Sequence, residues 1–176
     1  MSKNKIFTFL MISRILKDKG IIEYIQAAKQ LLNKGYQVKF LILGPIDNEN
    51  ITSIKINTLL NLIKGENSIE YLGSQNDVRP YIINSDCVVL PSYREGMPRT
   101  LLEAAIMEKP LIASNVPGCR ELIDHDKNGF LCEPKSAKSL EIMMLKMINK
   151  SNEEIHKMGK YSKSIITDSY SEKSIQ

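Results

Sequence analysis

Two glutamates eight positions apart are the residues of this chain best placed to do chemistry. They lie in the stretch LPSYREGMPRTLLEAA, Leu90–Ala105, where Glu95 precedes a helix-like run and Glu103 stands inside it. Gly96 and Pro98 shape a turn between them, and proline is tolerated in a helix's first turn because its missing N–H has no intrahelical partner there. A helix that begins here points free backbone N–H groups outward and so forms an anion site, which a nucleoside diphosphate would fit. At the helical period, Arg99, Thr100 and Glu103 share one face, and Leu101, Leu102, Ala105 and Ile106 spread over the other. Two readings of Glu103 stand side by side. It accepts hydrogen bonds from ribose hydroxyls, or it pairs with Arg99 four positions earlier, worth only a few tenths of a kcal/mol on an exposed helix.

A second cluster carries the complementary charge. Ser13-Arg14-Ile15-Leu16-Lys17-Asp18-Lys19-Gly20 follows the first apolar run. A guanidinium such as that of Arg14 grips phosphate oxygens with a planar fork, and an ammonium such as that of Lys19 adds a point charge. The same residues in isolation also read as a solvated basic turn.

These groups need a scaffold, and the rest of the chain supplies its pattern. Short apolar runs predict strands at Ile6–Ile12, Gln37–Leu43, Ile69–Leu72, Asp86–Leu90, Pro110–Ala113 and Gly129–Cys132. Helical periodicity predicts helices over Gly20–Asn33, 49–64, Asn76–Asn84, Arg99–Glu108, 118–124, 136–149 and 152–168. Alternation of continuous apolar strands with helices implies a parallel sheet covered on both faces, in an α/β, doubly wound, Rossmann-like fold. Ligands of such sheets bind beyond the carboxyl ends of the strands, which directs attention to loops 13–20, 44–49, 73–77, 91–98 and 114–118.

Composition narrows the function classes. The 176 residues are 43% apolar and 25% charged, as in an ordinary single globular domain. The net charge of +4 is too mild and too evenly mixed with acids to mark a nucleic-acid partner. No apolar stretch approaches the ~18 residues of a membrane span, and Ile6–Ile12 lacks the pattern of a signal peptide. Cys87, Cys119 and Cys132 are far apart and odd in number, which predicts reduced, buried thiols and neither metal nor disulfide.

Together these segments resemble glycosyltransferase family 4, whose enzymes have the two-domain GT-B architecture. Three segments carry the resemblance: Ser-Arg-x4-Lys-Gly at Ser13–Gly20, Glu-x7-Glu at Leu90–Ala105, and ASNVPGCRELIDHDKNGFLCEP at Ala113–Pro134. In order and at these spacings they are specific, and the likeness runs from Ile6 to about Tyr170. It implies that Arg14 and Lys19 bind the donor diphosphate and stabilise the leaving group. It implies that Glu95, with the backbone of Gly96 and Met97, meets the hydroxyls of the transferred sugar. The backbone N–H groups of Arg99 and Thr100 would face the diphosphate, Glu103 would hold the ribose, and Gln75 and Asp77 would flank the base. Glu121 matches a recurrent glutamate of the family and is read here as structural.

The resemblance further implies a retaining transfer from a nucleotide-diphosphate sugar to a glycan or lipid-linked acceptor in bacterial surface polysaccharide synthesis, with no cofactor and no metal. The chain would correspond to the carboxyl-terminal, donor-binding half, residues 1–176 forming one domain. An amino-terminal acceptor-binding domain would lie outside it, so the chain alone would bind donor but transfer little sugar. Residues 152–176 would be a tail that crosses to that other domain, with Ile165, Ile166, Tyr170 and Ile175 exposing apolar surface; the alternative is that this helix packs on its own domain. His125 and His156 read as surface residues. The expected setting is cytoplasmic, open to peripheral contact with the inner face of the plasma membrane. Three rivals from other classes compete. The reading as a phospho-accepting receiver domain lacks the acidic residues expected after the first strand. A dinucleotide oxidoreductase requires a GxGxxG turn, and Ser13–Leu16 has no glycine. A non-catalytic nucleotide-sugar-binding or assembly module would keep the same site.

Overall fold

The computed structural model describes residues 5–173, with the side chains beyond residue 169 excepted. Six parallel strands form one sheet: β1 (Phe7–Ile12), β2 (Val38–Leu43), β3 (Ile69–Tyr71), β4 (Cys87–Leu90), β5 (Leu111–Ser114) and β6 (Gly129–Cys132). Their spatial order is β3-β2-β1-β4-β5-β6, the doubly wound arrangement that the alternation predicts. The order reverses between β1 and β4, and this switch point opens the crevice in which such sheets bind ligands.

Six helices cover the sheet: α1 (Ile21–Asn33), α2 (Ile56–Ile63), α3 (Arg79–Asn84), α4 (Arg99–Ile106), α5 (Ala137–Ile148) and α6 (Asn152–Lys173). Successive side chains of a strand point to opposite faces, so the core divides in two. Phe9 and Met11 of β1 join Tyr24, Ile25 and Leu31 of α1 and Leu140 and Met144 of α5. Leu10 joins Val88 and Leu90 of β4, Ile82 of α3, Leu101 and Ala104 of α4, and Ile166 of α6. Burial on both faces is why the strands read as unbroken apolar runs.

Two helices are shorter than their periodicity predicts. Over 49–55 the chain turns instead, because the Asn50 side chain accepts the N–H of Thr52 at 2.9 Å and its hydroxyl at 3.0 Å. Such local bonds offer the backbone an alternative to the helix. The helix predicted from Asn76 begins at Arg79, where the Asp77 carboxylate accepts the N–H of Arg79 at 3.1 Å. The predicted helix at 118–124 is a short 3-10 turn over Arg120–Leu122.

The carboxyl-terminal helix corrects an expectation. Ile166 is not exposed: it is only 4% accessible and packs into the second core cluster, with Ile165 half-buried beside it. The helix is fastened to its own domain by buried Ser162, whose hydroxyl accepts from the Asn128 amide at 3.2 Å, and by Tyr161, which donates to Asp124 at 3.0 Å. The Tyr170 side chain and all of Ile175 lie outside the described residues.

Candidate functional site

The loops at the carboxyl ends of the strands interlock. The N–H of Ser13 donates to Leu43 O and that of Ile15 to Pro45 O, each at 3.0 Å, which joins the loops after β1 and β2. Gly44 N–H donates to Gly73 O at 2.9 Å and brings in the loop after β3. The loop after β4 lies against the loop after β1 so tightly that a Cβ on Gly20 would stand 2.1 Å from Pro91 O. Gly20 also has φ +80, so both conformation and space require glycine. Gly118, after β5, has φ +90, and a Cβ there would stand 2.6 Å from Gly96 O. Glycines at these positions are what let three loops meet around Glu95.

Inside this junction the Lys19 ammonium donates to Glu95 Oε1 at 2.7 Å. Their side chains are 21% and 9% accessible, which makes this the most enclosed contact between the predicted cation cluster and the predicted acids. Lys19 closes a short 3-10 turn, Lys17–Lys19, capped by the N–H of Gly20 on Lys17 O. Glu95 lies at the end of the loop after β4, so two segments 76 residues apart present opposite charges to one point.

Helix α4 starts beside this pair at Pro98 with no side-chain cap. The N–H groups of Gly96, Met97 and Thr100 meet no acceptor among the described residues. Arg99 departs from expectation: its N–H donates to Met97 O at 3.0 Å, so it is not free for an anion. The Thr100 hydroxyl donates to Ile12 O at 3.1 Å and pins α4 to the end of β1. Met97, 67% accessible, borders with Gly96 a cavity of about 380 Å³ that Leu102, Gly118, Leu122 and Ile166 also line.

Neither Arg14 nor Glu103 bonds to the pair among the described residues. The exposed Arg14 guanidinium reaches across to Asp47 at 3.1 Å. Glu103 is exposed, so its charge is solvated and needs no protein partner, and it forms no pair with Arg99 among the described residues. Glu103 instead lines a cavity of about 480 Å³ with Asn76, Asp77, Arg79, Ile106 and Met107. The segment predicted to flank a base thus adjoins the glutamate predicted to hold a ribose. Both base candidates are engaged locally: Gln75 donates to Leu72 O at 2.9 Å, and Asp77 takes the Arg79 guanidinium at 2.9 Å and 3.0 Å. The hydrogen bonds from Arg79 hold the Asp77 carboxyl below its ordinary range.

The other titratable groups have structural parts. The Glu121 carboxylate accepts the N–H of Gly118 at 2.7 Å, the structural role expected of it. Burial pushes the Cys119 thiol up to about 12, with the charges of Glu95 and Glu121 adding to the rise, so it stays protonated beside the site. All three cysteines are free and buried. His125 and His156 are exposed, as expected. Among the described residues no group of three or more His, Cys, Asp or Glu could hold a metal ion, and no helix is long and apolar enough to cross a membrane. Sequence reasoning missed Asp18, Glu23, Asp47 and Tyr93. Each acts on the site through a partner at least 33 residues away, and no short motif marks such a pair.

A doubly wound parallel sheet whose carboxyl-end loops bear this Lys–Glu pair and a Glu-x7-Glu helix defines a Rossmann-like domain of the GT-B glycosyltransferase kind. The chain belongs to the family described as Glycosyl transferases group 1, which it matches over residues 2–165. It is 34% identical over 146 residues to the capsular polysaccharide biosynthesis glycosyltransferase CapM of Staphylococcus aureus, covering 83% of this chain and 38% of that one. It is also 34% identical over 131 residues to the N,N'-diacetylbacillosaminyl-diphospho-undecaprenol alpha-1,3-N-acetylgalactosaminyltransferase of Campylobacter jejuni, covering 74% and 32%. The chain therefore spans well under half the length of these curated relatives. Among solved structures, a group 1 glycosyl transferase C-terminal domain (LpcC) from Francisella tularensis superposes with a TM-score of 0.80 at 25% identity, over 93% of this chain and 86% of that one. Anabaena HepE, solved in complex with UDP and glucose, shares the fold with a TM-score of 0.82 at 24% identity, over 93% and 44%.

Proposed function

We propose that the chain is the donor-binding half of a retaining glycosyltransferase that moves a sugar from a nucleotide-diphosphate sugar to a glycan or lipid-linked acceptor in bacterial surface polysaccharide synthesis. The observation that carries this reading is the enclosed Lys19–Glu95 pair beside the uncapped start of α4. The likeness to CapM and to the undecaprenol-linked transferase supports the pathway, and the UDP complex of HepE supports the donor class.

The chemistry follows from charge. When the bond between the sugar's anomeric carbon and the diphosphate breaks, negative charge builds on the departing phosphate oxygens. A cation and N–H dipoles fixed at that point lower the barrier, because they need no reorganisation as the charge appears. The N–H groups of Gly96 and Met97 face the hydroxyls of the transferred sugar, and Lys19 and the N–H group of Thr100 fill the role at the phosphates. Arg14 joins them by leaving Asp47, an exposed pair worth at most about 1 kcal/mol. Glu95, held at the same point, takes hydroxyls of the transferred sugar and stabilises an oxocarbenium-like centre without bonding to it. Glu103 takes the ribose hydroxyls, and the 74–77 segment borders the base. Since the cationic work is done by side chains and amides, transfer needs no metal. The acceptor meets the chain from an amino-terminal domain, in the cytoplasm at the inner face of the membrane.

A thermal-shift panel of UDP, GDP, ADP and their sugars tests this. Ligand at ~100 times its Kd adds ~2.7 kcal/mol to apparent stability. The expected result is a shift with at least one nucleotide, insensitive to EDTA and clearly reduced in Lys19→Ala. A flat panel across all nucleotides at millimolar concentration contradicts it.

A further inference from the structure

Behind the Lys19–Glu95 pair lies a carboxylate that the proposed chemistry does not use. Glu23, in the first turn of α1, accepts the hydroxyl of Tyr93 on one oxygen. Its other oxygen, Oε2, is buried and has no hydrogen-bond partner among the described residues. A buried carboxylate with one donor is costly, and losing that donor costs more than an average hydrogen bond yields. The phenol is therefore strongly held where it is.

Tyr93 stands two residues before Glu95, and its backbone is tied to the other member of the pair. The N–H of Tyr93 donates to Asp18 O at 2.8 Å, and Asp18 is the residue before Lys19. The hydroxyl of the neighbouring Ser92 bonds Asp18 O at 3.1 Å and Arg94 O at 3.0 Å. The Arg94 guanidinium reaches the Asp18 carboxylate at 3.4 Å. On the outer side, the Lys135 ammonium lies 5.2 Å from the centre of the Tyr93 ring. Among these ties the phenol is the one that anchors the loop to a core helix; the others join loop to loop.

We propose that Tyr93 is a positioning residue: by bonding Glu23 it fastens the 91–98 loop onto α1 and keeps Glu95 registered against Lys19. What the registered pair is for rests on the donor-binding reading above. That the phenol registers it does not. Burial, then the bond to Glu23, pushes the Tyr93 phenol above its ordinary value, so it stays protonated and a donor at neutral pH. The design separates two tasks. Lys19 and Glu95 are left to meet a ligand, and a pair that touches none holds them in place.

The test is amide hydrogen exchange by NMR on the chain as it stands, with the amides of Val88 and Val89 in β4 as internal controls of global stability. Tyr93→Phe keeps the ring and its Lys135 contact but loses the bond. Glu23→Gln keeps an acceptor for the phenol, and Glu23→Ala removes it. The expected result is that protection of the position-93 amide, taken relative to the β4 amides, falls about tenfold in Tyr93→Phe and Glu23→Ala, while Glu23→Gln stays near the parent. The Lys19 ammonium signal should weaken in the same two variants, and affinity for UDP, the probe ligand, should drop several-fold. Parent-like protection and ammonium signal in Tyr93→Phe overturn the proposal. A parent chain that binds no UDP leaves the exchange result decisive, and counts against the donor reading alone.

Discussion

At the scale of single residues, the candidate site separates groups bound into the fold from groups with no protein partner among the described residues. Glu103 belongs to the second kind: it is exposed and borders a cavity. Surface substitutions without partners change stability by less than about 0.5 kcal/mol. Glu103→Ala should therefore leave the melting temperature where it is and weaken nucleoside diphosphate binding, as calorimetry can establish. Equal binding by this variant would remove Glu103 from the site. Lys19→Ala should behave differently, because it strips the partner from a Glu95 side chain that is only 9% accessible. A charge-assisted contact is worth ~1.5–3 kcal/mol, so affinity for a diphosphate should fall on the order of 10- to 100-fold. Lys19→Arg, with a wider planar head, should recover only part of it.

At the scale of elements, the ties between helices make their own forecasts. Gly159 lies inside α6, where glycine ordinarily costs ~1 kcal/mol relative to alanine. A Cβ on Gly159, however, would stand 1.9 Å from the backbone oxygen of Glu108, a non-glycine residue at φ 59 just past α4. Gly159→Ala should thus destabilise, by ~1–3 kcal/mol as overpacking does, where propensity alone forecasts a gain. Urea denaturation decides the sign. Between α1 and α5, the 3%-accessible Glu141 is bonded by Lys34 and Lys138. The Lys34 hydrogen bond lowers its carboxyl below the ordinary value against the opposing effect of burial, with Lys138 adding to the lowering. A depressed carboxyl contributes stability above its unfolded pKa of ~4.3 and loses it as pH falls through the folded value. Acid should therefore weaken the parent more than Glu141→Gln between pH 5 and 3, read as the urea midpoint of each. The strands were legible in the sequence to within one residue at most ends, because burial on both faces leaves a continuous apolar signature. The helices at 49–64 and 76–84 were not, since Asn50 and Asp77 bond the backbone locally and end a periodicity that the apolar residues alone would continue. Ile166 read as free surface because the resemblance makes its segment a tail that crosses to another domain; its partner is the domain's own second core cluster.

At the scale of the whole molecule, one crevice gathers the loops of β1, β4 and β5, and strand–helix alternation together with the family resemblance directed attention to Lys19, Glu95 and Glu103 at that end of the sheet. What these did not reveal was the division of labour within it. Arg14 rests on Asp47, Glu103 faces a cavity of its own, and the Arg99 N–H is already taken. These are contacts between segments distant in sequence, and only the folded chain has them. The central claim is that a pyrophosphate seats on Lys19 and the start of α4. The most direct measurement is an NMR titration of the isotopically labelled chain with UDP and GDP, following backbone amides and the lysine ammonium. Saturable shifts are expected at Lys19, Gly96, Met97 and Thr100 and around the cavity of Asn76 and Glu103, while His125 and Lys146, which with Phe130 line a separate, far cavity near the start of β6, stay unmoved. Shifts confined to that far cavity, or none at millimolar nucleotide, would contradict it.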